Sequence, residues 1–381
     1  MVAVRRGASQ RAVAKRFGVA LRTVQRWFRC AKARRLDRVD WDDRSSAPRR
    51  TQRTGAAGEQ RVLTIRRWLK DRSPLGEYGA AAIRREMEAR HLSPPSIPTI
   101  GRILRRCGAL DGRRRIRRPP PPRGWYLPLV AAGKAELDSF DTIEGLAIRG
   151  GPQLAVLTGI SLHGGLPAAW VARAVSAKTV VDALVEHWRA FGLPGYAQFD
   201  NDNRFHGPRQ HPDTVGRVIR LCLALGVTPV FVPPNETGFQ AAIEGFNGRW
   251  QAKVWSRFEH ASIRTLARRS SKYITAAQQR SAPRIEAAPR RRRFPKRWHL
   301  NLQQPLHGTI VFLRRTDDQG RVNLLGHSFR VDAHWLHRLV RAEVDLDGRS
   351  IRFFALRRRE PMDQPLLEEV TYTLPDRPFK E

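Results

Sequence analysis

The stretch AELDSFDTI at residues 135–143 decides the fold, because it predicts a buried strand that carries an acid, Asp138. Two further stretches match it: YAQFDND at 196–202 predicts a strand that ends on Asp200, and FQAAIEGFNGRW at 239–250 predicts a helix that carries Glu244. Carboxylates that a fold brings together repel one another, so hard divalent cations typically neutralise such a cluster. Two such ions clamp the attacking and leaving oxygens of a phosphoryl transfer. We therefore predict that these acids are catalytic ligands of two Mg²⁺ or Mn²⁺ ions.

Around these acids, residues 131–258 alternate between short apolar strands and helices in the order βββαβαβα, which predicts a mixed α/β domain. The predicted elements are strands 135–143, 154–162 and 166–174, a helix at 177–191, a strand at 196–199, a helix near 214–225, a strand at 228–232 and the final helix. The first three strands, separated by Gly-rich turns, predict an antiparallel meander. In this layout we expect Asp200 to lie beside Asp138.

The final helix of this domain has a clear buried stripe. Its apolar residues recur at steps of three or four: Phe239, Ile243, Phe246, Trp250 and Val254. Glu244 lies about 100° from that stripe, which suits a metal ligand at the edge of a buried face. Asn247 and Arg249 follow it, and we predict that both contact DNA.

The composition indicates a polyanionic partner. The 381 residues include 70 Lys and Arg against 35 Asp and Glu, a formal charge of +35, which favours nucleic acid over anionic membrane. No apolar run is long enough to span a bilayer, and the N-terminus does not resemble a signal peptide, so we expect a cytoplasmic, nucleoid-associated protein. The cysteines, Cys30, Cys107 and Cys222, form neither a CxxC pair nor a disulfide framework.

Residues 1–32 predict a helix-turn-helix. Ser9 caps a first helix, Gly18 turns the chain, and a second helix directs Val24, Trp27 and Phe28 inward. The outward residues of the second helix have donor side chains that read bases and phosphates in a major groove: Arg22, Thr23, Gln25, Arg26 and Arg29. The alternative is a helical hairpin with a solvated basic face. Residues 33–58 predict a linker.

Residues 59–110 predict a second helix-turn-helix. Ser96 is a candidate N-cap, and Thr99 and Arg102 are candidate DNA contacts on the helix that follows. A winged-helix dimerisation unit would show the same apolar pattern. Residues 111–130, which include RRRIRRPPPPR at 113–123, predict a basic, Pro-rich linker.

The last third predicts two parts. Residues 259–305, with an arginine run at 290–293 and several prolines, predict a basic connector. Residues 306–375 contain segments of period-two alternation broken by Asp-Asp-Gln-Gly and Asp-Gly turns, which predict a small β-barrel of about five strands.

This order of parts resembles bacterial insertion-sequence transposases with a retroviral-integrase-type, RNase H-like catalytic core. The most specific stretches, besides the three quoted first, are VLTGISLHG at 156–164, LPAAWVARA at 166–174 and the helix-turn-helix at 79–108. The resemblance implies a DDE triad at Asp138, Asp200 and Glu244, metal-dependent cleavage of element ends and strand transfer into target DNA. It also implies double-stranded DNA as the partner and at least a dimer on DNA. No His pair precedes a Cys pair, so we predict no structural zinc.

The chain departs from the family in three places. Asp202 follows Asp200 and Asn201 where the family usually has Gly, and Ser161 follows Ile160 where many relatives have Asp. The spacing between Asp200 and Glu244 (244 − 200 = 44) exceeds the family's usual one, which implies an insertion near residues 203–213.

Rival residues and rival functions remain open from the sequence. Asp141, Asp202 and Glu236 are alternative acids, with Asp141 expected on the opposite side of the strand from Asp138. His206 and His211 are weaker candidates for proton shuttles. The alternative functions are a catalytically silent DNA-binding regulator, or domesticated transposase remnant, and a nuclease that hydrolyses without joining.

Overall fold

The computed structural model describes residues 1–41, 54–110, 123–208, 211–236, 238–358 and 360–380. These residues form two compact units, Met1–Glu59 and Gln60–Glu381. Residues 42–53 of the predicted first linker and residues 111–122 of the predicted Pro-rich linker lie outside the described residues. None of the described helices combines the length and apolarity needed to cross a membrane.

The first unit contains three helices around a small apolar core: α1 (Val2–Arg5), α2 (Gln10–Arg16) and α3 (Leu21–Ala31). Ser9 caps α2 by accepting a hydrogen bond from the Ala12 N–H at 3.1 Å. Gly18, at φ +61°, makes the turn between α2 and α3. Trp27, predicted to point inward, is only partly buried, and its ring lies 5.4 Å from that of Trp41.

Most of α4 (Ala56–Arg72) belongs to the second unit, where it forms a three-helix module with α5 (Ala80–Ala89) and α6 (Ile97–Arg106). Val62, Ile83, Met87 and Ile100 are fully or almost fully buried in its core. Ser96 accepts a hydrogen bond from the Thr99 N–H at 3.4 Å, as its predicted role as N-cap requires.

The α/β core has the predicted element order. Its strands are β1 (Leu137–Ala147), β2 (Gln153–Ser161), β3 (Pro167–Ala172), β4 (Tyr196–Phe199) and β5 (Thr228–Phe231). Its helices are α7 (Pro128–Ala131), α8 (Ala177–Phe191), α9 (Asn203–His206), α10 (Arg217–Ala224) and α11 (Ala241–Trp250), the last continued by a π-helical turn, Gln251–Trp255. Strands β1 to β3 form the predicted antiparallel meander, and β4 and β5 join it in parallel.

The region predicted as a basic connector is largely a helix, α12 (Ile263–Glu286), capped by Ser262. Leu266, Tyr273 and Ile274 of α12 are buried against residues of α11 and β1. The prediction of a connector is therefore corrected, because one face of this helix is part of an apolar core. The prediction of a Pro-rich linker at 111–130 is also wrong for its last residues, because Trp125 and Val130 are buried in the core.

The C-terminal strands extend the sheet of the core instead of forming the predicted separate barrel. They are β6 (Thr309–Arg315), β7 (Arg321–Leu324), β8 (His327–Arg330), β9 (Leu339–Asp345), β10 (Ser350–Ala355) and β11 (Leu366–Thr371). Strand β6 pairs with β5 in parallel, and the sheet has the order β11-β10-β9-β6-β5-β4-β1-β2-β3. Strands β7 and β8 form a separate hairpin, and no pairing within the described ranges closes a barrel.

Candidate active site

The site is built where β1 and β4 run side by side. Their parallel register pairs Asp138 with Ala197 and Ser139 with Gln198. Continued by two residues, that register places Asp141 beside Asp200. The acid level with Asp200 is therefore Asp141, and Asp138 lies earlier on the strand.

Side chains alternate along β1, so Asp138 and Asp141 lie on opposite faces of the sheet. The face of Asp141 packs on α11: Ile143 shares a buried cluster with Phe246 and Trp250. Glu244 is exposed on the same helix. The structure thus brings Asp141, Asp200 and Glu244 to one region, and it does not bring Asp138 to them.

The electrostatics of Asp141 reflect this grouping. Its pKa is raised to about 6, first by burial and then by the negative charges of Asp200 and Glu244, against hydrogen bonds from the Thr142 N–H and Asn247. A bound cation would offset the repulsion between these carboxylates and so stabilise the ionised form of Asp141. Across the described ranges, no three Asp, Glu, His or Cys side chains lie close enough to hold one metal ion together.

Asn247 holds the Asp141 carboxylate in place. Its Nδ2 donates to Asp141 Oδ2 at 2.8 Å, and its Oδ1 accepts from the Thr158 hydroxyl at 2.7 Å. Asn247 is 9% exposed, so its side chain is buried and its hydrogen bonds are made within the protein. Its predicted contact with DNA stays a prediction. Arg249, two residues later, is exposed on α11 and stays a predicted DNA contact.

Asp138 is an internal partner of Arg291. The Arg291 guanidinium donates to both of its carboxylate oxygens, at 2.5 and 2.9 Å, and Trp188 Nε1 donates to it at 3.2 Å. Asp138 is 1% exposed, and His187 Nε2 lies 3.9 Å from its Oδ2. Burial lowers the pKa of His187 to about 4, so that imidazole is neutral. Both oxygens of the buried Asp138 carboxylate therefore already accept hydrogen bonds from side chains of the fold.

The extra acid of the second motif has a structural role. Asp202 caps α9 by accepting from the Arg204 N–H, and the Arg204 guanidinium donates to both of its carboxylate oxygens, at 2.7 and 2.8 Å. Arg204 also pairs with Glu144. The charge of Asp202 is therefore compensated locally. Glu236, the other rival, pairs with Arg315.

The predicted DNA-reading residues of α3 lie on one exposed surface: Arg22, Thr23, Gln25, Arg26 and Arg29 are all exposed. On α6, Arg102 is exposed. Thr99 is half-buried, and its hydroxyl lies 2.9 Å from that of the N-cap Ser96. These placements leave the first helix-turn-helix with a larger candidate reading surface than α6 offers.

Residues 1–39 match the family of homeodomain-like domains. The match covers α1 to α3 and includes the exposed surface of α3. No protein of curated function matches the chain significantly.

Similar solved structures come from retroviral integrases. The catalytic core domain of BIV integrase is 17% identical, over 37% of this chain and 81% of that one, with a TM-score of 0.27. The simian T-cell lymphotropic virus intasome in complex with PP2A regulatory subunit B56 gamma is 12% identical, over 69% and 84%, with a TM-score of 0.33. The HTLV-2 integrase catalytic core domain in complex with magnesium is 9% identical, over 35% and 81%, with a TM-score of 0.27. At these TM-scores the likeness assigns no role to any residue, so the chemistry of the site rests on its own side chains.

Sequence reasoning did not group Asp141 with Asp200 and Glu244, although it placed Asp141 and Asp138 on opposite sides of the strand. The signal that could have found this grouping was the buried helix stripe. Ile143 and Asp141 lie on the same side of β1. The apolar stripe of α11 has to pack on an apolar residue such as Ile143, so the helix that carries Glu244 covers the side of β1 on which Asp141 lies.

Proposed function

We propose that the chain is a DDE transposase whose acids are Asp141, Asp200 and Glu244, with Asp141 in the place first predicted for Asp138. The observation that carries this proposal is geometric: the β1–β4 register continues to place Asp141 beside Asp200, on the face of the sheet that α11 covers and where Asn247 of α11 donates to Asp141. Burial, and then the charges of Asp200 and Glu244, raise the pKa of Asp141, which agrees with this grouping. The proposed reaction is strand cleavage at the ends of a mobile element followed by strand transfer into target DNA, on a protein dimer or larger assembly.

The three acids fit a hard divalent cation by the chemistry of their donor atoms. They offer only carboxylate oxygens, and Mg²⁺ is typically held by one or two carboxylates while substrate phosphates and water complete its octahedron. Such sites do not require three protein ligands to converge before DNA binds. When bound, Mg²⁺ or Mn²⁺ would polarise the phosphodiester and activate the attacking hydroxyl.

The residues of the chain prepare this site in three ways. Asn247 and Thr158 hold the Asp141 carboxylate in one orientation. Thr158 donates to the Asn247 amide oxygen at 2.7 Å, and the Asn247 amide nitrogen donates to Asp141 at 2.8 Å. With a pKa of about 6, Asp141 is largely ionised at neutral pH and above. The homeodomain-like module supplies recognition of the element ends through α3, and the +35 charge retains the phosphate backbone.

The decisive experiment compares two isosteric substitutions three positions apart, Asp141→Asn and Asp138→Asn. Purified proteins are incubated with labelled DNA carrying the element ends, a target plasmid, and Mg²⁺, Mn²⁺ or chelator. We expect Asp141→Asn to lose at least about 10³-fold in cleavage and joining while it still binds the ends, since a metal ligand supplies several kcal/mol to the transition state.

Asp138→Asn, corrected for any loss of folded protein, should retain metal-dependent activity. Wild-type cleavage by Asp141→Asn, or inactivity of Asp138→Asn in fully folded protein, would overturn the assignment. Asp200→Ala and Glu244→Ala complete the set, and both should behave as Asp141→Asn.

One observation favours a second candidate, a DNA-binding regulator. Within the described ranges the acids do not form a ready metal site. Tight binding of the ends by the wild-type protein, with neither cleavage nor joining under any metal condition, would support that function.

A further inference from the structure

The loops that follow three parallel strands lie together at the end of the sheet where Asp200 lies. Strands β4, β5 and β6 are mutually parallel in order, so their carboxyl ends meet at one edge. Asn201 follows Asp200 there, Val232 follows β5, and β6 ends with Arg314 and Arg315. The C-terminal strands thus bring two arginines next to the candidate active site.

A cleft of about 480 Å³ opens at this edge. Its polar lining includes Asn201, Arg314, Arg315, His211 and Asn323, and its apolar lining includes Leu324 and Leu325. The described residues that line it include no Asp or Glu. A neighbouring cleft differs in this respect, because Asp213, Asp347 and Asp376 lie among the basic residues of its lining.

The two arginines are held by the fold. Arg314 donates to Asn201 Oδ1 at 2.9 Å, and its guanidinium lies 5.0 Å from the centre of the Phe312 ring. Arg315 pairs with Glu236 and donates to the His337 carbonyl, yet its side chain stays 45% exposed. Cations restrained in this way lose little entropy when an anion binds.

We propose that this cleft binds one nucleotide of the DNA strand next to the cleaved phosphodiester. The phosphate would lie against Arg315, and the sugar and base against the wall formed by Leu324 and Leu325. The volume suits a ligand of that size, since small-molecule sites are about 300–1,000 Å³. The proposal rests on the proposed function, which places the reacting phosphodiester at Asp200, and it adds a substrate contact made by the C-terminal strands.

The test is photocrosslinking in chelator, so that DNA binds without being cut. The probe is a duplex carrying the element end, with 5-iododeoxyuridine at single positions within a few nucleotides of the cleavage site. Separate arms carry the label on the transferred strand, on the complementary strand or on a target duplex, which distinguishes the source of the nucleotide. Crosslinked peptides are identified by mass spectrometry. We expect a crosslink within residues 314–325 in one of these arms.

Arg315→Ala should weaken that crosslink and the yield of joined product roughly ten- to hundredfold, the range expected for losing one charged hydrogen bond. Glu236→Gln is the matched control, because it breaks the same ion pair and keeps the arginine, and it should crosslink at least as well as wild type. Arg264→Ala, an exposed position on α12, controls for net charge.

Crosslinks confined to other regions, or an equal loss in Glu236→Gln, would overturn the proposal. A protein that crosslinks at 314–325 but never cuts DNA would refute the proposed function and leave the cleft assigned.

Discussion

At the scale of the residue, the alternation of side chains along β1 separates two acids of the same type. Asp138 accepts hydrogen bonds from Trp188 of α8 and from Arg291, which follows α12. Asp141 faces α11, where Asn247 orients it. Ionisation of the two carboxylates also has opposite effects on the stability of the folded protein. The charge of Asp138 is compensated by Arg291, whereas Asp141 is desolvated by burial and lies near the like charges of Asp200 and Glu244. Their amide substitutions should therefore change stability in opposite directions.

Asp141→Asn should stabilise the protein at high pH. The pKa of Asp141 is raised from 3.8 to about 6 on folding, so its ionised form destabilises the folded state above about pH 6, and the penalty fades as pH falls from 6 towards 4. We expect Asn to add about 1–3 kcal/mol at pH 8 and almost nothing at pH 4. Urea denaturation in chelator measures this, with the exposed Asp182→Asn as control. A gain that does not depend on pH would contradict the assignment of cause.

Asp138→Asn should destabilise the protein by about 3–5 kcal/mol, because it leaves the guanidinium of Arg291 buried without its counter-ion. The same denaturation series measures it at pH 7. A loss below about 1 kcal/mol would show that solvent reaches Arg291 and that the pair is not a structural link.

At the scale of the element, helix α11 does more than carry Glu244. It continues through the π-helical turn to Arg257, whose guanidinium donates to the carbonyls of Ser73 at 2.7 Å, Lys70 at 3.0 Å and Asp71 at 3.1 Å. These carbonyls close the C-terminal end of α4, where a cation is favourable. Lys253 adds a bond to the Gly76 carbonyl at 3.2 Å. The second helix-turn-helix is thus tied to the helix that bears a candidate ligand.

Arg257→Ala should loosen this module. The loss of three charged hydrogen bonds should speed hydrogen exchange in α4 to α6 by roughly ten- to hundredfold, while β1 and β4 keep their protection. Exchange followed by mass spectrometry measures this, and Arg264→Ala serves as the control of equal charge. Unchanged exchange in α4 to α6 would show that apolar contacts alone hold the module.

At the scale of the whole molecule, one nine-stranded sheet joins the core to the C-terminal region. The junction is the parallel pairing of β5 with β6, where Val230 pairs with Val311 and Phe231 with Phe312, and all four side chains are buried. The C-terminal strands therefore complete the core. Without them β5 would be an exposed apolar edge, which is prone to aggregate.

A chain truncated after residue 305 should fail to fold cooperatively. Its thermal unfolding by circular dichroism should show no sharp transition, and it should aggregate at concentrations where the full chain is monodisperse. Removal of residues 1–53 is the control of the opposite end, and the remaining chain should keep its transition. A stable, cooperative 1–305 protein would mean that the core is autonomous.

The sequence by itself determined the local elements and indicated the class of function that we propose. The caps at Ser9 and Ser96, the helix at 177–191 and the strand at 196–199 follow from side chains and spacing within one segment, so they were predictable. The charge of +35 and the acids of AELDSFDTI, YAQFDND and FQAAIEGFNGRW indicate metal-dependent chemistry on DNA by residue type and pattern alone.

Only the tertiary structure decided which acid of β1 meets the others and what the basic segments do. Both Asp138 and Asp141 suit a strand, and the choice depends on which face α11 covers, a contact more than 100 residues away in the chain. The segment that contains α12 and Arg291 was predicted to be a basic connector, yet α12 buries one face in an apolar cluster and Arg291 pairs with the buried Asp138. Likewise, strands with alternating apolar residues are compatible with a barrel or with an open sheet. The pairing of β6 with β5, which only the tertiary structure shows, makes these strands part of the open sheet.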